Sequence, residues 1–332
     1  MFYIRVCGFL FLHSKSNRRY EMSRFITLAS FLLLLILIPF SSNAQQLYIS
    51  TELGLGIGNS LDTDASDTDF GTLCDQHLNN PADNNHFASG VCSWETSVWN
   101  NSFDGATGII VGVALGVSTD FGARIEAEYF NFGAQYDTTS SVVGGGQDIA
   151  DKANQELVRS DERIGAVNIN SLFVNVYYDL PVSGQLRPYI GGGVGFGMTE
   201  VEFDAVWARN INPDVITTAD DVEYLGSGNE EEDRQALHRR IAGVTSTASH
   251  TLEDTVFGYQ AVVGVDYMLT DSASIGVKGR WVQYAKFSGG DVWDQLRGHA
   301  PNNGPGTNTV EYTIETDDLS AFGVSLVMKY AF

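Results

Sequence analysis

The chain has 332 residues, 41 acidic against 19 basic, for a net charge of −22. So acidic a protein repels phosphate backbones and anionic headgroups alike, which excludes nucleic acid as a partner. Its mean hydropathy of −0.07 is ordinary, so composition does not separate a soluble exported protein from a membrane barrel, and side-chain periodicity has to.

The first element is the apolar run at residues 25–40, FITLASFLLLLILIPF, which follows Arg24 and precedes Ser41, Ser42, Asn43 and Ala44. It falls short of the roughly 20 residues a spanning helix needs, and small residues at 42 and 44 suit signal peptidase. Residues 1–44 are therefore predicted to be a signal peptide cleaved after Ala44, with Met22 as an alternative start. Residues 45–332 are expected to form one domain. Cleavage removes five basic residues and one acidic residue and leaves a net charge of −26. Cys7 departs with the signal. In an exported protein the remaining Cys74 and Cys92 are expected to pair as a disulfide closing one loop.

Segments of about ten residues with an apolar side chain at every second position are the mark of a barrel wall facing lipid. Eight occur, at 47–58, 108–117, 123–132, 168–180, 189–203, 256–268, 274–287 and 319–332. The first sets Leu47, Ile49, Leu53, Leu55 and Ile57 on one face and Tyr48, Ser50, Glu52 and glycines on the other. The third gathers Arg124, Glu126 and Glu128 on one face, which cannot meet lipid. The fifth alternates Ile190, Val194, Phe196 and Met198 with glycines suited to a narrow, curved wall. The expected fold is thus an all-β, eight-stranded antiparallel up-and-down transmembrane barrel. Short turns follow strands two, four and six, and four long extracellular loops span 59–107, 133–167, 204–255 and 288–318. The third loop contains EEEDRQALHRRI at 230–241, in which acids precede bases, and a short helix is predicted there.

An eight-stranded barrel is just wide enough for side chains to fill it. The inward charges Glu52, Arg124, Glu126, Glu128, Asp179, Asp266, Lys278, Arg280 and Lys329 should therefore pair with each other. Glu126 or Glu128 with Lys278 or Arg280 are the preferred pairs. Tyr48, Phe121, Tyr129, Tyr178, Tyr189, Tyr267, Trp281 and Phe332, near strand ends, are read as interfacial girdles. Asp62, Asp64, Asp67 and Asp69 raise calcium binding, but the run lacks an EF-hand's spacing and terminal Glu and reads mainly as a solvated acidic surface. There is no Gly-x-Ser-x-Gly, His-Glu-x-x-His or phosphate loop, and His238, His250 and His299 are scattered through loops. No enzyme activity, metal or cofactor is expected.

Several strands resemble the OmpA-like, Opa-like and bacterial surface-antigen barrels: GARIEAEY at 122–129, SLFVNVYYD at 171–179, PYIGGGVG at 188–195, FGYQ at 257–260 with Gly279-Arg280, and KYAF at 329–332. The resemblance implies an eight-stranded barrel in the outer membrane of a Gram-negative-type bacterium. It also implies that Tyr330 and Phe332 form the C-terminal signal read by the barrel-assembly machinery. The expected function is a surface protein with a filled lumen, its acidic loops serving structural, adhesive or host-interaction roles. A small-solute porin is the alternative. The expected partners are outer-membrane lipid, the assembly machinery and a host or surface protein met by the loops.

Overall fold

The structure, a computed structural model, describes residues 46–68, 97–141, 144–145, 156–217, 228–296 and 310–332. The expected signal peptide, Cys74 and Cys92 with their disulfide, Asp69 and His299 lie outside the described residues. Among the described residues there are eleven strands: β1 (Gln46–Gly58), β2 (Leu61–Asp67), β3 (Ser97–Phe103), β4 (Thr107–Ser118), β5 (Ala123–Ser141), β6 (Gly144–Gly145), β7 (Leu157–Asp179), β8 (Leu186–Arg209), β9 (Thr245–Met268), β10 (Ala273–Val292) and β11 (Glu311–Ala331). One helix, α1 (Glu230–Ile241), lies between β8 and β9. Eight of the strands are barrel staves, in the order β1, β4, β5, β7, β8, β9, β10, β11. The ring closes where β11 returns antiparallel to β1, from Tyr48 opposite Ala331 to Gly58 opposite Ala321.

The short turns fall where the sequence places them. One of the two four-residue turns joins β4 to β5: Gly122 takes φ +88°, a left-handed conformation that glycine adopts without a Cβ penalty, and donates to the Thr119 carbonyl at 3.1 Å.

The staves run much further than the apolar alternation predicts. β8 and β9 have 24 residues each and β7 has 23, where about ten tilted residues suffice to cross a bilayer. Large parts of the four expected loops are therefore strand. The physical reason is an inversion of polarity along the long staves. On β8 the outward series Ile190, Val194 and Phe196 gives way to Glu200, Glu202 and Asp204, while the inward series becomes Val201, Phe203 and Ala205. β9 does the same in reverse, with Ser249, Thr251 and Glu253 outside and Ala248 and Leu252 inside, before Phe257, Tyr259 and Val263 take the outer face. Lipid-facing alternation is the sequence signal of a barrel. Beyond the membrane the alternation persists with its sense exchanged.

The first expected loop also starts and ends as wall. After residues 59–60, β2 pairs with β11 from Thr63 opposite Thr316 to Asp67 opposite Tyr312, and β3 pairs with β2 before leading into β4. α1 forms where the charge gradient predicts it. Asn229 caps it by accepting from the Glu232 amide, and Leu237 and Ile241 pack on Ile216 and Val244. Among the described residues no helix is long and apolar enough to cross a membrane.

Candidate functional site

The interior is layered. Nearest the short turns, Arg124 on β5 meets Asp179 at 2.9 Å and Asp266 at 3.3 Å, and Lys329 on β11 meets Asp266 at 2.5 Å. The Arg124 guanidinium lies over the Tyr189 ring, 4.5 Å from its centroid, and 5.2 Å from that of Tyr177. Glu126 accepts from the Tyr48 hydroxyl at 2.7 Å.

The next layer is a square of two carboxylates and two cations. Lys278 Nζ is 2.7 Å from both Glu52 and Glu128, and Arg280 Nη2 is 2.5 Å from Glu52 and 2.8 Å from Glu128. Asn175 and Gln260 each donate to the second oxygen of Glu128 at 2.8 Å. All four charged groups are buried, so each needs its opposite charge close by to offset the loss of water. Arg280 also lies over the Phe130 ring at 3.8 Å, leading into a third layer of Phe130, Phe132, Phe173, Ile110 and Tyr284. The nine sequence-selected charges thus fall into two groups. Glu128, of the two carboxylates preferred for Lys278 and Arg280, is the one that meets both. Glu126 takes a tyrosine instead.

Tyr48 and Tyr189, read from the sequence as girdle residues, are instead buried in this interior. Tyr48 shares the polar face of β1 with Ser50 and Glu52, and strand parity overrides its position near a strand end. Phe121, Tyr129, Tyr178, Tyr267 and Phe332 are exposed on the outer face. The alternate glycines of β8 open space as much as they curve the wall: a methyl group at Gly193 would strike the side chain of Asn175, one of the donors to Glu128.

Beyond the apolar band the interior resembles that of a soluble protein. Trp99, Trp207, Trp293, Tyr312, Phe203, Phe287, Leu61 and Ile314 pack together, with Trp99 edge-on to Trp207 at 5.0 Å between centroids. One carboxylate enters this core. Glu162 on β7, ten residues from the lipid-facing Leu172, is 1% exposed and accepts from Trp99 Nε1 at 2.6 Å and Asn101 Nδ2 at 2.5 Å. Burial raises its carboxyl to about 7, although both donors favour the ionised form. The sequence reading missed Glu162, because the run Arg159-Ser-Asp-Glu-Arg163 has no apolar alternation around it.

The outer wall at this level is acidic. Asp62 and Asp64 accept from Ser102 and Asn100, each at 2.6 Å. Together with Thr63, Asn101 and Asp317 these residues line a shallow groove of about 480 Å³. Asp67 faces the other way, buried against Trp293 Nε1 at 3.2 Å. The run read as one acidic surface is therefore divided between the two faces of β2. Of the histidines, His238 is buried in α1. His250 has both ring nitrogens occupied, Nδ1 with Tyr312 Oη at 3.0 Å and Nε2 with Asp294 at 3.1 Å.

No family model matches the chain. It is 31% identical over 98 residues to the opacity protein opA65 of Neisseria gonorrhoeae, a stretch that is 29% of this chain and 42% of that protein, so the match spans under half of the relative's length. Among solved structures it is similar to Neisserial surface protein A (8% identity, 87% of this chain and 100% of that one, TM-score 0.37) and to OprG of Pseudomonas aeruginosa (12%, 85% and 95%, TM-score 0.33). It is also similar to the outer membrane protease OmpT of Escherichia coli (12%, 86% and 97%, TM-score 0.36). A closed ring of eight staves with a lipid-facing band on its outer surface makes this chain a β-barrel of the Gram-negative outer membrane, similar over part of its length to an opacity protein.

Proposed function

We propose that this protein is a non-conducting, non-enzymatic surface platform: a barrel plugged by its own side chains that presents an acidic outer wall and its loops to a cationic adhesive or host partner. The observation that carries this reading is the unbroken interior sequence from the Arg124 layer, through the Glu52–Glu128–Lys278–Arg280 square and the Phe130–Phe173 layer, to the tryptophan core. An open pore wide enough for solutes needs a lumen lined by side chains that leave water between them, and more staves than eight. We assign β11, with Tyr330 and Phe332 in ring contact at 5.3 Å, as the strand read by the barrel-assembly machinery. The nine interior charges are assigned a structural role.

Planar-bilayer recording of the purified full chain tests the plug. The expected result is an absence of sustained open events, whereas stable unitary conductance would replace this reading with the small-solute porin. For the platform role, cells displaying the protein are expected to bind vesicles or beads coated with oligolysine better than cells lacking it, and the difference should fade as salt rises past the screening range.

A further inference from the structure

We propose that Glu162 is a proton-operated clamp on the β2–β3 hairpin, holding it closed as a carboxylic acid and loosening it as a carboxylate. The geometry is specific to this residue. β3 is paired along its length with β2, but among the described residues its other side pairs only with the two residues of β6, at Trp99 and Asn100. The two side-chain bonds from Trp99 and Asn101 to Glu162 therefore tie the hairpin across the interior to β7, a central stave paired along both edges.

A second observation concerns the same amide. Asn101 Oδ1 is buried and has no hydrogen-bond partner, while its Nδ2 donates to Glu162. Against a carboxylate, which only accepts, that oxygen is repelled. A carboxylic acid can donate its proton to Oδ1 while its other oxygen keeps accepting from Nδ2, giving a cyclic acid–amide pair with no orphaned atom. Trp99 Nε1 donates in both states.

The charged and titratable groups around the core do not reverse this. On β7 itself, Arg163 is turned outward to Asp137 and Asp204. Tyr312 on β11 bonds His250 on β9, which in turn meets Asp294 beyond β10, and Asp67 on β2 accepts from Trp293. Asp291 at the end of β10 adds only further negative charge. What moves the Glu162 carboxyl upward is burial, opposed by its two donors.

The sign follows from proton uptake. A carboxyl held above its ordinary value binds a proton in the closed hairpin that the opened hairpin releases. Closure is therefore tightest below about pH 4.5, weakens up to about 7, and is level above that. Within that window the opening equilibrium should rise about tenfold per pH unit.

The test is amide hydrogen exchange of the full chain in lipid nanodiscs between pH 5 and 8, followed in peptides covering β2 and β3 and corrected for the intrinsic pH dependence of exchange. Protection in the unaltered protein should fall through the window, while Glu162→Gln, which has no proton to lose, should give a flat profile. Identical profiles in the two proteins overturn the proposal. So does a profile abolished by His250→Gln and retained in Glu162→Gln. Should Glu162→Gln fail to fold, Trp99→Phe decides: losing a donor that favours the carboxylate should move the midpoint upward, and an unmoved midpoint overturns the clamp.

Discussion

Arg280 shows how tightly the interior charges depend on one another. It contacts both carboxylates of the square and covers the Phe130 ring, so Arg280→Ala leaves Glu52 and Glu128 to share Lys278 in a dry layer. Removing one partner of a buried ion pair costs about 3–5 kcal/mol. A loss of that size is expected in denaturant unfolding of the detergent-refolded barrel, and unchanged unfolding would show that the square contributes nothing. Gly193→Ala should act on the same layer indirectly by displacing Asn175 from Glu128. Its loss of stability should shrink when combined with Asn175→Ala, which removes the side chain the methyl group strikes. The square was legible in the sequence because a charge on a strand otherwise facing lipid has nowhere to go but inward. Its partner choices were not, since parity gives a face and not a height: Glu126 and Glu128 are indistinguishable by pattern, yet only Glu128 lies level with both Lys278 and Arg280. Tyr48 was misread for the opposite reason, its nearness to a strand end outweighing the parity that placed it beside Glu52.

The long staves combine two environments joined at a fixed level. Below it the outer face is apolar and the inner face carries the charge layers, and above it the outer face is polar and the inner face apolar. A positive charge should therefore be felt very differently at two outward positions of one strand. Val263→Arg on β9, within the lipid band, should cost about 2–4 kcal/mol. Thr251→Arg, twelve residues away on the same face, should leave stability nearly unchanged. Equal costs in equilibrium unfolding from vesicles would mean that the band extends further than the apolar residues indicate. The eight lipid-crossing segments were readable because apolar-out alternation has one common cause. The extensions were not, because Asp, Ser, Thr and Glu at every second position read as loop composition unless the intervening Val201, Phe203, Ala205, Leu252 and Ile314 are recognised as an inward series. The same exchange fixes the pairing of the strands. Sliding β8 by one residue would place Glu202 in the tryptophan core and turn Val194 into the lumen, an error penalised on both sides of the membrane surface.

At the level of the whole molecule, backbone closure and a continuous interior should make the barrel resist SDS until heated, with unboiled and boiled samples migrating apart on a gel. A single band at both temperatures would argue against a closed ring. Under the proposed platform role, the staves also determine where a partner would be met. On β8, the 13 residues after Phe196 advance about 43 Å along the strand, or about 30 Å of height at the usual barrel tilt. Whatever docks at the rim does so at a fixed standoff from the leaflet, on a stiff turret and not at the end of a tether. Trimming matched residue pairs from adjoining staves would lower that turret in steps, so reach is a property written into strand length.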